Sequence, residues 1–177
     1  MDGASVTEQL IGCARSNNET LMASILEGKP SEEVAKIINT TVDPVGSGLL
    51  HLAAHHGALE VLDFMLDQEG VEIDPVDRLQ RDTPLHRAVE FARGPGNADA
   101  GKQIVELLIE CGAQPDPRNS SGKRPIDLAS QSGLTGIVNS LRGAQYAAEL
   151  AREHGAEAGD GVVDEGDEGD GDEGESE

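Results

Sequence analysis

Three histidines in Leu50–Gly57, L-H-L-A-A-H-H-G, are the first residues in this chain that could do chemistry. His51 and His55 stand four apart, so a helix would put both rings on one face, the spacing of the paired ligands in a zinc-protease helix. That chemistry also needs a glutamate at position 52, as the base working on metal-bound water, and Leu52 stands there instead. Nor does the pattern call for a third ligand nearby. Ser120-Ser121-Gly122-Lys123 has the look of a phosphate loop but is too short, and neither the G-x-x-x-x-G-K-[ST] loop nor a dinucleotide fingerprint occurs. The acidic C-terminal run offers oxygens to calcium without the ordered loop and flanking helices of an EF-hand. No catalytic, cofactor-binding or metal-binding residues are expected, and the chain is not expected to be an enzyme.

The histidines make better sense once the elements that carry them are read. From Asp82 the chain runs D-T-P-L-H-R-A-V-E-F, then a polar, glycine-containing break, then K-Q-I-V-E-L-L-I-E-C-G-A to Ala113. Pro84 suits a first helical turn and Thr83 the cap before it; Leu85, Ala88 and Val89 recur at helical spacing. Ile104, Val105, Leu107 and Leu108 give the second segment a broader apolar stripe, ended by Gly112. The spacing predicts two short antiparallel helices, each too one-sided to stand alone. Leu50, His51 and Ala53 stand 35 residues before Leu85, His86 and Ala88, while Pro125, Ile126, Asp127 and Ala129 stand 41 residues after Pro84, Leu85, His86 and Ala88. A unit of about 33 residues with small insertions explains both distances.

In these motifs the chain resembles the ankyrin-repeat family. Thr83-Pro84-Leu85-His86 matches the family's T-P-L-H, in phase with a second apolar helix and with Gly112–Ala113. The upstream copy has Gly48 and Leu49 in place of threonine and proline, and the downstream copy has Asp127 in place of the histidine. The resemblance implies an all-α fold, an ankyrin-repeat solenoid of stacked helix-turn-helix units with short hairpin arms. It also implies that His51 and His86 are structural and bond between turns. Stacked units set their arms and first helices along one curved face, so shallow contacts add. By resemblance the protein-binding positions would be Asp77, Arg78, Gln80, Arg81 and Asp82 on the middle arm, Arg87 and Glu90 on its inner helix, and Asn119, Ser120, Lys123 and Arg124 on the next arm. The whole arrangement is similar to small fungal ankyrin-repeat proteins with an acidic C-terminal tail, among which is a chaperone of a ribosomal protein.

Three regions follow from the pattern. Residues 1–38 are read as a degenerate N-terminal capping unit, with Val6, Leu10, Ile11 and Ala14 at helical spacing, and a short helix from Ser31 to Ile38. Residues 39–152 form the repeat domain, with units at about 46–74, 79–116 and 120–142 and a capping helix beyond Arg142 in which Tyr146 and Leu150 cover the last layer. Alternating Val71, Ile73 and Val76 predict an extended arm segment. R-G-P-G-N-A-D makes an insertion at 92–99, with Asp99 capping the helix that follows. Residues 153–177 read as a disordered acidic Gly/Asp/Glu tail.

Composition bounds the rest. Aromatic residues make up 2% of the 177, so aliphatic side chains must supply the packing, which suits thin two-helix layers. The formal charge is -21, of which residues 153–177, with twelve Asp or Glu and no Lys or Arg, carry -12. Direct nucleic-acid binding is not expected of such a surface. A protein partner is, with a basic ribosomal or nuclear protein drawn to the tail as one candidate. Arg78, Arg81 and Arg87 are the contrary subset: they would meet a partner's carboxylates or the chain's own tail. No stretch of 18 apolar residues and no secretion signal is present, and Cys13 and Cys111 are too few to staple a fold. A free monomer in the cytoplasm, the nucleus or both is expected, off the membrane.

Overall fold

The structure, a computed structural model, describes residues 3–157. Within them lie nine helices: α1 (Val6–Ser16), α2 (Glu19–Leu26), α3 (Ser31–Thr40), α4 (Leu49–His56), α5 (Leu59–Leu66), α6 (Pro84–Ala92), α7 (Ala98–Glu110), α8 (Pro125–Gln131) and α9 (Thr135–Glu157). Four helix pairs stack side by side. The inner row is α1, α4, α6 and α8, the outer row is α2, α5, α7 and α9, and α3 is inserted between the first two layers.

The aliphatic content explains the thin layers. Inner helices bury small residues at the crossing points, including Ala14, Ala53, Ala88 and Ala129, while Leu10, Leu49, Leu62, Met65, Leu85, Ile104, Leu108, Ile137 and Leu141 fill the space between rows. No single helix has enough apolar face to persist in water, so the layers stabilise one another through one continuous core. α1 starts on a reciprocal cap: Ser5 accepts from the Glu8 amide at 3.2 Å, and Glu8 accepts from the Ser5 amide at 2.8 Å. The Ser5 bonds, backbone first, hold the Glu8 carboxyl below its ordinary range.

Several sequence expectations shift in detail. No strand occurs among the described residues; one isolated bridge joins Val42 and Gly48. Around the expected extended segment Val71 and Ile73 pack against the core while Val76 is exposed. α7 begins at Ala98 with Asn97 at the cap position, so Asp99 lies inside the first turn, because Gly94 and Asn97 close a tight turn first (Asn97 N–H to Gly94 O, 3.1 Å). The fourth unit's second helix and the C-terminal cap are one unbroken α9, and Tyr146 on it is exposed rather than covering the last layer. α9 also runs past residue 153, where the tail was expected to begin; from residue 158 the tail lies outside the described residues.

Candidate protein-binding site

Three loops precede the inner helices α4, α6 and α8, and one local device shapes all of them. Each begins with a short acidic or amide residue whose side chain can imitate a backbone turn. Asp43 Oδ1 accepts from the Val45 and Ser47 amides (3.0 and 2.9 Å), Asp77 Oδ1 from Gln80 and Asp82 (2.9 and 3.3 Å), and Asn119 Oδ1 from Ser121 and Lys123 (both 3.0 Å). The same residues donate their own amides across the loop, Asp43 to Ser47 O, Asp77 to Asp82 O and Asn119 to Lys123 O. These are the arms.

Neighbouring arms are tied edge to edge. The Arg78 amide donates to Gly46 O at 3.4 Å and the Ser120 amide to Gln80 O at 2.7 Å, while Asn119 Nδ2 donates to Asp82 Oδ1 at 2.9 Å. Gly46, at φ +91, is needed at the first contact: a Cβ there would lie 2.6 Å from Arg78 Cδ. Histidines tie arms to helices. His51 Nε2 donates to Asp82 O at 2.7 Å and His86 Nε2 to Lys123 O at 2.8 Å, each reaching one layer forward. In the third layer Nδ1 of His86 accepts from the Thr83 amide (3.0 Å) and lies 2.9 Å from its hydroxyl, which fixes the neutral Nε2–H tautomer. His51 Nδ1 has no such partner, since Gly48 replaces the threonine. Burial presses the His51 pKa below its ordinary value, against the raising effects of Asp82 O and Asp77. In the last layer Asp127 takes the histidine's place and accepts from the amide of Arg124 at 2.9 Å and its guanidinium at 3.0 and 3.2 Å.

The expected binding positions therefore divide. Asp77 and Asp82 are buried and serve the arm rather than the surface. Arg87, with 15% of its side chain exposed, is surrounded by its own carboxylates: Asp77 at 2.5 Å, Glu90 at 2.8 Å and Asp82 at 3.6 Å. Burial alone would raise the Asp77 carboxyl, but Arg87 and the two arm amides outweigh it and leave it below the ordinary range. Arg87 is thus committed within the chain, as are Arg124 to Asp127 and Asn119 to its own arm. Lys123 bonds Gln131 at 3.0 Å, Glu90 sits 3.7 Å from His55, and Ser120 is exposed with its amide engaged. Arg78, Gln80 and Arg81 remain outward, and neither Arg78 nor Arg81 makes an ion pair among the described residues.

Two residues absent from the expected set complete the face. Val45 is 53% exposed and Leu79 65% exposed, each two positions after the aspartate that opens its arm. They line one groove of about 290 Å³ with Gln80 above and His51, Leu52, His55 and His56 of α4 below. Three larger hollows, of about 460, 600 and 750 Å³, adjoin α3, and none contains any of the exposed large apolar side chains. Aligning the arms on Asp43 and Asp77, one residue out of step with the 35-residue spacing of the inner helices, puts Val45 and Leu79 at the same arm position. No three His, Cys, Asp or Glu side chains among the described residues are placed to hold a metal ion. Among the same residues no helix is long and apolar enough to cross a membrane.

Comparison with known proteins agrees with this geometry. A family model described as ankyrin repeats (3 copies) matches residues 50–152. The chain is 37% identical to an ankyrin repeat-containing protein of Saccharomyces cerevisiae, YGL242C, over 93% of this chain and 92% of that one. It is 31% identical to the E3 ubiquitin-protein ligase Ufd4 of Drosophila melanogaster over 70% of this chain but 4% of that much longer protein. Among solved structures, an ankyrin repeat domain from Acinetobacter baumannii AYE superposes with a TM-score of 0.64 at 22% identity, covering 81% of this chain and 70% of the other.

Proposed function

This chain belongs to the ankyrin-repeat family, and from that premise we propose that it is a non-catalytic adaptor whose arms and inner-helix face hold a protein partner in the cytoplasm or nucleus. The observation that carries the proposal is the pairing of Val45 and Leu79 across one groove. Val6, Leu21, Val76 and Tyr146 are exposed as well, but Val45 and Leu79 stand on adjacent, mutually bonded arms and line a common groove. Apolar side chains held out on a rigid edge lose little entropy when covered, so they suit the anchor role at an interface. The test is a photo-crosslinking residue placed at Gln80 and, separately, at exposed Gln103 on the outer helix α7. Irradiated in native cells, position 80 should yield a discrete protein adduct that position 103 does not. Equal adducts from both positions would remove the arm face as the site.

A second reading is favoured by one feature, the -12 carried by residues 153–177 within a chain of -21. A dedicated chaperone would use these carboxylates to shield a basic client, such as a ribosomal or nuclear protein, while the groove holds a folded feature of it. Protection of a basic ribosomal protein from aggregation should then fall when the chain ends at Glu157, and fall most at low salt. Equal protection by both chains at every salt concentration would leave the adaptor alone.

A further inference from the structure

We propose that the arm edge bearing Arg78, Leu79 and Arg81 takes a carboxylate-rich segment with a branched aliphatic pair, and that its occupant is this chain's own residues 158–177. The inference rests on the reading of that edge as a docking face. Arg15 pairs with Asp43, Arg87 with Asp77 and Glu90, and Arg124 with Asp127, while beside and on the last arm Arg118 donates to Gly122 O and Lys123 to Gln131. Arg78 and Arg81 flank the exposed Leu79 with no ion pair among the described residues, so the edge is complementary to acid plus aliphatic.

An independent acidic protein is a poor candidate, because a chain of -21 repels it over the Debye length before contact. A tethered segment escapes that penalty, since attachment gives it an effective concentration in the millimolar range. Residues 158–177 hold ten carboxylates, no Lys or Arg, and one aliphatic pair, Val162–Val163. Their point of departure is favourable. Gln145 donates to Asp116 at 2.7 Å and Arg152 lies 3.6 Å from the same carboxylate, so α9 runs along the connector that leads into the arm at 119–123. The middle arm is the next layer, about 10 Å away at ordinary helix spacing. Val162–Val163, five and six residues beyond Glu157, commands about 17–20 Å of extended chain.

The test uses the full chain, purified and dilute, with the photo-crosslinking residue at Gln80. Peptide mapping should place its adduct within residues 158–177 of the same molecule. Adduct yield should fall about fivefold in Arg78→Glu/Arg81→Glu, in Val162→Ser/Val163→Ser and in high salt, but stay level in the control Arg142→Glu. Unchanged thermal unfolding keeps a folding defect from imitating the result. Adducts confined to dimers, or mapping elsewhere, or insensitive to the arginine reversals, overturn the tail assignment. If tail adducts are missing while the cellular adduct from position 80 persists, the docking face stands without the tail; if both are missing, the face falls as well.

Discussion

His86 reaches across 37 residues of sequence to donate its Nε2–H to the main-chain oxygen of Lys123 at 2.8 Å, tying the third layer to the arm of the fourth. His51 makes the corresponding bond to Asp82 O one layer earlier. Both rings are buried, so each bond is made where water cannot replace it.

Replacing His86 with leucine removes that donor and strands the Thr83 amide and hydroxyl. The loss should be about 2–3 kcal/mol by denaturant unfolding, with amide exchange in α8 rising before exchange in α4. Asp127→His, although it restores the family's residue, should not stabilise: no further arm follows among the described residues to accept the proton, and the Arg124 bonds disappear. An increase in melting temperature for Asp127→His would contradict this account of the last layer.

Gly48→Thr tests the opposite case, a buried ring nitrogen without a partner. A Cβ at Gly48 would lie 3.3 Å from His51 Nδ1, and the backbone there (φ -75) accepts any residue. A threonine hydroxyl should then bond Nδ1 as Thr83 does for His86, raising stability by about 1 kcal/mol. No gain would mean that the close approach of the Cβ cancels the new bond.

Acidification should destabilise the fold through His51 and His56. Burial lowers both folded pKa values, aided at His56 by His55 and Arg15 and opposed at His51 by Asp82 O and Asp77. The unfolded chain, at the ordinary 6.5, then binds protons that the folded chain does not. Stability is full above that value and declines as pH falls through it toward the folded pKa values. His51→Gln should flatten part of the decline between about pH 7 and 5 in a melting series, pH values set by the ordinary histidine range.

Arg87→Leu should be costly, about 3–5 kcal/mol, because it leaves the buried carboxylates of Asp77 and Asp82 uncompensated. Adding Asp77→Asn should recover part of the loss, since the amide oxygen still accepts from Gln80 and Asp82 without carrying charge. A cost under about 1 kcal/mol would place the pair with ordinary surface bridges.

Gly57→Ala should cost about 2–3 kcal/mol through two separable effects. The residue stands at φ +73, and a Cβ would lie 2.4 Å from Phe91 Cζ in the next layer. Phe91→Leu in the same chain should relieve the clash but not the backbone strain, so the double variant should recover only part of the stability.

The repeat and its inner helices were legible because they depend on short-range regularities. Thr83-Pro84-Leu85-His86, the aliphatic spacing and the in-phase copy at Leu50–Ala53 each prescribe local geometry, and copies in phase can bury their faces only by stacking. The site was legible only in part. Asp77, Asp82 and Arg87 read as surface charges because charge ordinarily means exposure, yet the arm turns all three inward upon one another. Val45 and Leu79 entered no candidate set, because an aliphatic residue type gives no sign of exposure, and the Asx turns hold them outward.

Period, helix pairing, aliphatic layers and the uneven acidity were determined by the chain alone, because each follows from residue types within a few turns of one another. Which cations stay available, and which aliphatics stand at the arm edge, were decided only when the Asp43 and Asp77 arms came side by side. Those outcomes depend on partners 31 to 44 residues apart, such as His51 with Asp82 and Asn17 with Val61, and spacing along a chain does not specify contacts over that distance.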